Sequence, residues 1–301
     1  MTAQPESQRD VATLLEALPY IRLFHGQTIV IKYGGAAMEQ ADLSEEFARD
    51  VVLLKYVGLN PIVVHGGGPE ITSMMERLDM DVEFRDGLRV SDEATVEVAS
   101  MVLVGKINNE IVLRIGRHGQ PAIGLSGDDG GLFRVSTRQA PGGQDIGFVG
   151  AIDEVNTDVL DHITADYIPV ISPVRADAEG QAHSINADDA AAAVAAAVGA
   201  FKVMFLTDVP GWLADPADEA SLISEIDAAG ARARLDSVEG GMRAKIGACL
   251  DAVEGGGDSS FDCVQAGADL RPHAAFHRVQ PRAGAGGVDL ADQARLVGRV
   301  G

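Results

Sequence analysis

From residue 28 onward the chain alternates two kinds of segment: short apolar, β-branched runs that end in glycine, and longer amphipathic runs that follow them. TIVIKYGG (28–35) predicts a strand that closes in a glycine turn. LSEEFARDVVLLKYVG (43–58) predicts an amphipathic helix with Ser44 near its cap and Gly58 at its end. NPIVVHGGG (60–68) is the next strand and PEITSMMERLD (69–79) the next helix. Strand, helix, strand, helix at this spacing predicts a parallel sheet covered on both faces.

The pattern continues with a mostly helical stretch over 91–119 and a strand in PAIGLSG (121–127). Residues 132–156 alternate and turn like antiparallel hairpin strands, and YIPVISPV (167–174) reads as a buried strand. NADDAAAAVAAAVGA (186–200) predicts an alanine-rich helix able to approach its neighbours closely, and KVMFLTDVPGWL (202–213) a strand running into a loop. Ahead of all of these, residues 7–25 read as a helix with Val11, Leu14, Leu15 and Leu18 on one face and a kink at Pro19. No repeat is visible at a period of 20–50 residues.

Composition narrows the class. The 301 residues suffice for one large domain or two lobes, and 46% hydrophobic with 23% charged residues is ordinary for a globular chain. No apolar run approaches the roughly 18 residues that span a bilayer, and the polar start MTAQPESQRD lacks the apolar core of a secretory signal, so a cytoplasmic location is expected. Cys249 and Cys263 form neither a disulfide framework nor a metal-ligand spacing, and no protein-held metal is expected. The formal net charge of −21 argues against nucleic acid and anionic membranes as partners. Lysine occurs only at 32, 55, 106, 202 and 245. An anionic ligand would therefore need a few local cations to overcome the global field. From Gly255 to Gly301 there is no Lys or Glu, and five Arg balance five Asp. Periodicity weakens there as well.

Candidate chemistry gathers where strands end. In VVHGGGPE a strand is followed by Gly66-Gly67-Gly68 and by Pro69 in the first helical turn. Unobstructed glycine N–H groups at a helix N-terminus make an anion cradle, although a ligand-free tight turn would also use one glycine. No G-x-G-x-x-G follows a strand and no Walker loop is present. HGGG is also an oxyanion motif of esterases, but their G-x-S-x-G elbow is missing: GLSGD (124–128) has Asp128 in place of the last glycine. Lys32 stands at the end of a strand before Gly34-Gly35, pointing to the crevice where parallel sheets bind ligands; a snorkelling lysine is the alternative. Arg89 in GLRV offers a carboxylate fork. Asn186 and Asp188 stand at a helix start, where they are also ordinary capping residues. Lys245 follows the glycine pair of GGMRAKIGA, and Asp208 ends a strand in LTDVPG.

In order and spacing, FHGQTIVIKYGGAAM, the long stretch from FARDVV to GGGPEI, DGLRVSDEATVEVASMVLVGKINNEIV, AIGLSGDDGGL, YIPVISPV, INAD, LTDVPG and EGGMRAKIGACLDAV resemble the amino-acid-kinase superfamily, and within it the acetylglutamate kinase family. The resemblance runs from about residue 11 to 254. It implies a three-layer α/β/α sandwich with a mainly parallel central sheet. It implies an N-terminal oligomerisation helix (1–26), an amino-acid-substrate lobe (27–174), a nucleotide lobe (175–254) and an atypical tail (255–301). The implied reaction moves the γ-phosphoryl group of MgATP to the side-chain carboxylate of N-acetyl-L-glutamate, in arginine biosynthesis. By the same resemblance Lys32 and Lys245 are transition-state cations and Asp188 positions both. Gly35 and Gly67 donate N–H groups to the phosphoryl. Gly34, Gly67, Gly68, Arg89, Ser184 and Asn186 line the amino-acid site, and Asp208, Val209, Gly211, Gly241 and Met242 the nucleotide site. The implied assembly is a homo-oligomer, either a hexamer built as a trimer of dimers or a dimer.

Two departures stand out. Ser184 occupies a place where the family usually has Asn, two residues before Asn186. The tail after residue 254 does not read like the family's last strands and helix, as though the frame had shifted or the segment been replaced. That places the C-terminal part of an arginine-feedback site in question. The rival readings are an aminoadipate-type carboxylate kinase and a catalytically weakened regulatory homologue.

Overall fold

The computed structural model describes residues 15, 17–19, 21–85, 88–139, 145–207, 211–215, 217–223, 226–238, 240–254 and 260–265. Its centre is a sheet of six strands, all parallel, in the order β12-β11-β1-β2-β8-β5. These are β1 (Thr28–Tyr33), β2 (Asn60–His65), β5 (Ala122–Ser126), β8 (Ile168–Ser172), β11 (Lys202–Thr207) and β12 (Ser260–Gln265). Between them run α1 (Ala36–Glu39), α2 (Ala41–Tyr56), α3 (Gly68–Arg77), α4 (Glu93–Ser100), a π-helix (Met101–Asn108), α5 (Asn109–Arg117), α6 (Asp158–Ile163), α7 (Ala187–Ala197), α8 (Ala228–Arg234) and α9 (Gly240–Glu254).

The period of two along each central strand divides the molecule into two cores. Ile29, Ile31 and Tyr33 of β1, with Met204 and Leu206 of β11, face one layer, built on α2, α3, the π-helix and α5. Val30 of β1, with Val203 and Phe205 of β11, faces the other, where the alanines of α7 pack against Ala248 and Ala252 of α9. Side chains of one methyl group let α7 lie close to both the sheet and α9. The result is the expected three-layer sandwich.

A second sheet, β6-β7-β10-β9, comprises Phe133–Thr137, Val149–Val155, Ala182–Ile185 and Val174–Ala176. The hairpin expected over 132–156 is its β6–β7 pair, and β10 adds parallel to β7. A small hairpin joins β3 (Phe84–Arg85) to β4 (Leu88–Arg89).

Several boundaries differ from the reading of the sequence. The helix expected from residue 43 starts at Ala41 with Gln40 as its cap, and Ser44 lies inside it with its hydroxyl on Ala41 O at 2.8 Å. Its end is as expected: Gly58 is left-handed (φ +96) and Leu59 N–H reaches back to Leu54 O, closing a Schellman turn. The long helix over 91–119 contains eight residues of π geometry, which periodicity alone does not reveal. The helix of Lys245 includes the glycine pair, because it begins at Gly240. After the composition shift, β12 still forms and pairs with β11 from Lys202↔Ser260 to Thr207↔Gln265, so part of the tail extends the central sheet. Of the N-terminal helix expected over 7–25, residues 15, 17–19 and 21–24 are helical, and residues 1–14, 16 and 20 lie outside the described residues.

Candidate active site

The site lies at the C-terminal ends of β1 and β2, outside the sheet, where parallel α/β sheets form their crevices. Lys32 follows Val30 in the alternation of β1, so it points to the α7 layer. Its side chain is 13% exposed. A Cβ on Gly34 would stand 3.0 Å from the Lys32 ammonium, so glycine there leaves room for the lysine to lie across the turn.

On the neighbouring strand, β2 ends at His65 and α3 starts at Gly68 with Gly67 as its cap and Pro69 in the first turn. The first N–H groups of a helix have no acceptor within it, so the α3 start presents donors and the positive end of its dipole. Gly67 has an extended φ of 167°, which any residue can adopt. Glycine is required there for space: a Cβ would meet Ile107 Cδ1 at 2.4 Å and Leu103 Cδ2 at 2.8 Å, both on the π-helix. Packing, as well as an open backbone for a ligand, therefore accounts for this glycine. Arg89 clasps the same turn. Its Nη2 donates to Gly68 O (3.0 Å) and to Thr72 Oγ1 (2.7 Å), and its guanidinium stacks 4.7 Å above the Phe84 ring.

Beneath the glycines lies a buried polar network. His65 is fully buried, with Nδ1 2.9 Å from Gly66 O and Nε2 2.9 Å from Ser172 Oγ. Asn108, at the end of the π-helix, donates from Nδ2 to Val170 O (2.8 Å) and Ser172 Oγ (2.9 Å). Burial pushes the imidazole down to about 4 from 6.5, opposed in part by the Gly66 carbonyl. His65 is thus neutral near pH 7 and holds main chain; it is not placed to act as a base.

The opposite wall carries charge. Asn186 caps α7, its Oδ1 accepting from Asp188 N (2.8 Å) and Asp189 N (3.1 Å). The cap orients the first turn, and Asp188 bridges two lysines from different elements. Lys32 Nζ is 3.1 Å from Oδ1 and Lys245 Nζ, from α9, is 3.3 Å from Oδ2. Lys245 makes an aligned hydrogen bond, whereas Oδ1 faces Lys32 as a charge contact without one. Two ammonium groups on one carboxylate leave a local excess of positive charge in a chain of net charge −21. Next along the helix, Asp189 pairs with Arg138; burial raises its carboxyl and the guanidinium opposes that rise.

One cavity of about 300 Å³ brings together Lys32, Gly34, Gly35, Gly67, Gly68, Arg89, Ser184, Asn186 and Asp188. Every expected residue on the amino-acid side, together with two of the three expected to act in catalysis, lines it. Lys245 joins it through Asp188. Of the residues expected around a nucleotide, Gly241 lies beside Lys245, a Cβ on it falling 3.8 Å from Nζ. Met242 packs on the apolar cluster of Trp212 and Ile246, away from this cavity. Gly211 is buried with φ +143, and Asp208 and Val209 lie outside the described residues.

The reading of the sequence missed Phe84, Ser91, Leu103, Val149 and Pro173, which are also part of the lining. Pro173 follows the end of β8, so the strand-end argument applied to Lys32 would have found it. Val149 and Phe84 come from the second sheet and the small hairpin, whose placement has no local signature.

The description "Amino acid kinase family" matches residues 27–261, ending close to the composition shift. The chain is 50% identical over 256 residues to "Acetylglutamate kinase" of Pelotomaculum thermopropionicum, covering 81% of this chain and 87% of that one. It is also 50% identical over 256 residues to the acetylglutamate kinase of Symbiobacterium thermophilum (81% and 86%). In structure it is similar to N-acetylglutamate synthase from Neisseria gonorrhoeae complexed with coenzyme A and N-acetyl-glutamate. The TM-score is 0.76 at 23% identity, over 86% of this chain and 59% of that one. It is also similar to carbamate kinase from Giardia lamblia bound to AMP-PNP, at a TM-score of 0.61 and 16% identity (84% and 96%). The chain belongs to the amino acid kinase family and, within it, to the acetylglutamate kinases.

Proposed function

We propose that the chain transfers the γ-phosphoryl group of ATP to the side-chain carboxylate of N-acetyl-L-glutamate, a step of arginine biosynthesis. The single observation that carries this reading is the bridge Lys32–Asp188–Lys245 set beside the glycine turns of β1 and β2. Phosphoryl transfer needs positioning and neutralisation of charge on the equatorial oxygens far more than covalent help. The attacking group is itself a carboxylate, ionised at neutral pH with an ordinary pKa of about 4.3, so no general base is required. That agrees with a buried, neutral His65 and with two lysines bridged by one carboxylate beside the turn.

In this reading Lys32 and Lys245 hold the migrating phosphoryl and Asp188 keeps the two ammonium groups apart from each other and aimed inward. Gly35 and Gly67 donate N–H groups to it. Gly67, Gly68 and Arg89 hold the acetylated amino acid, with Ser184 and Asn186 at its α-carboxylate; Ser184, shorter than Asn, reaches that group through water. Residues 27–174 form the amino-acid lobe and 175–254 the nucleotide lobe, tied together by the β7–β10 pairing. Asp208, Val209, Gly211, Gly241 and Met242 line the nucleotide. Magnesium enters as part of the substrate MgATP. Among the described residues no cluster of three His, Cys, Asp or Glu could hold it, and the Asp188 carboxylate is occupied by two lysines. The N-terminal helix supports a homo-oligomer, dimeric or hexameric, in the cytoplasm; no helix among the described residues is long and apolar enough to cross a membrane.

Incubation of the purified protein with MgATP, acetylglutamate and hydroxylamine traps the acyl phosphate as a hydroxamate. Formation that requires acetylglutamate and exceeds that with aminoadipate supports the reading. ADP release without hydroxamate, or preference for aminoadipate, overturns it.

A further inference from the structure

We propose that His65 is a positioning residue: its ring, carrying the proton on Nδ1, holds the Gly66 carbonyl toward the core and thereby turns the Gly67 N–H into the cavity. The Gly66 carbonyl, which can only accept, calls for the proton on Nδ1, and the hydrogen bonds behind His65 agree with it. Val170 O can only accept, which orients the Asn108 amide with Nδ2 toward it at 2.8 Å. Its two hydrogens go to Val170 O and Ser172 Oγ, and the same Nδ2 lies 3.3 Å from His65 Nε2, where a ring N–H would face another donor. Ser172 Oγ accepts from Asn108 and has one proton to give, with Nε2 at 2.9 Å and Leu103 O at 3.4 Å within reach; the nearer acceptor, Nε2, takes it. The ring proton therefore stands on Nδ1, and it faces Gly66 O at 2.9 Å, a group that can only accept.

The consequence follows from peptide geometry. No cis peptide occurs among the described residues, and in a trans unit the C=O of one residue and the N–H of the next point to opposite sides of the same plane. Gly66 O turned to a fully buried ring puts Gly67 N–H on the far side, and Gly67 lines the cavity. The residue before the unit is pinned as well, with Gly66 N–H on Tyr33 O at 2.8 Å. Glycine 66 alone could flip this peptide at little steric expense; the imidazole removes that freedom. The network is built into the core: a Cβ on Gly124 of β5 would stand 1.9 Å from Asn108 Oδ1, so a glycine in the sheet makes the space the asparagine needs.

The inference rests on Gly67 N–H serving the transferring phosphoryl, as proposed above, and its test separates the two. In the ¹⁵N-labelled full chain at pH 7, two-bond ¹⁵N–¹H correlation of the imidazoles reads the tautomer directly, with His65 identified by its loss in His65→Asn. An Nδ1–H ring is expected; an Nε2–H ring overturns the proposal whatever the activity. In kinetics, His65→Asn retains an amide donor where Nδ1 stood, and His65→Gln carries its amide to the Nε2 position. His65→Asn is expected to keep kcat within about 3-fold. His65→Gln is expected to lose about 10–100-fold in kcat with the KM for ATP within about 2-fold, as a misaimed donor would. Equal kcat for the two variants, or a loss confined to the KM for ATP, overturns the positioning role. If the wild-type chain forms no acetylglutamate-dependent hydroxamate, the functional reading fails while the tautomer result still judges His65. Should one variant fail to fold, the other identifies the His65 signal by its loss and the wild-type spectrum decides.

Discussion

On the β1–β2 side, the wall of the cleft is main chain: glycine amides at the start of α3, held from behind by His65, Ser172 and Asn108. On the α7–α9 side it is side chain: two lysines sharing Asp188. The amides of the first wall and the three side chains behind them are neutral, and those supports are fully or nearly fully buried, at 0% for His65 and Ser172 and 4% for Asn108. Its donors need no charge to be desolvated, and they cannot wander. The second wall is charged and keeps contact with water, with the lysine side chains 13% and 16% exposed. Full burial of three charges would carry a large desolvation penalty, and partial exposure avoids it. Fixed amides supply direction and half-solvated ammonium groups supply charge. Moving a phosphoryl group between two anions needs both.

Four outcomes would sharpen or break this contrast. The largest effect belongs to the charged wall: Lys32→Ala and Lys245→Ala are each expected to lower kcat by about 10²–10³-fold, as loss of a preorganised donor does. Steady-state assay with saturating ATP checks this, and near-wild-type turnover in both variants would remove the lysines from the mechanism.

The neutral wall responds to acid through stability. His65 is depressed to about 4 in the folded chain from 6.5. Between those values the unfolded chain binds a proton that the folded chain excludes. The contribution is therefore whole above pH 6.5 and is lost as pH falls toward 4, by up to about 1.4 kcal/mol per pH unit. Urea unfolding at pH 7.5, 6 and 5 measures the slope, and His65→Asn is expected to flatten it. An equal slope in both proteins contradicts the assignment.

Gly67→Ala tests how tightly the π-helix closes on the glycine turn. A methyl group must push against Ile107 and Leu103, and overpacking of this kind destabilises by about 1–3 kcal/mol. A thermal melt is expected to shift down by several degrees; an unchanged melt means that the π-helix gives way freely. The smallest effect is expected for Asn186→Ala, which removes the α7 cap for about 1 kcal/mol and loosens Asp188 with it. Its denaturation midpoint should fall modestly, and kcat should fall with it if the cap aims the carboxylate.

How much of this was legible beforehand depends on how local each cause is. Five of the six strands of the central sheet, the Gly58 turn and the Ala-rich helix follow from period, β-branching and capping chemistry within a dozen residues. So does Lys32 at a strand end, since alternation dictates its face. Ser44, expected near the cap, lies inside the helix because a serine hydroxyl bonds a backbone carbonyl within a helix as readily as a free N–H at its start. Strand β12 was missed because its neighbours in sequence lack periodicity, and a parallel edge strand is stabilised by its partner β11.

The amino-acid sequence by itself determined the parallel α/β architecture, the glycine-ended strands and the order of residues that marks the family. The resemblance implied that Asp188 positions Lys32 and Lys245; the tertiary structure brings the two, distant in the chain, onto that one carboxylate. It alone decided that Gly67 is kept bare by Ile107 as well as for a ligand, and that His65 faces Gly66 and Ser172 at once. The physical reason is range. Propensity and periodicity act between neighbours along the chain, whereas charge pairing, steric exclusion and the direction of a buried hydrogen bond depend on groups that folding alone brings within a few ångströms.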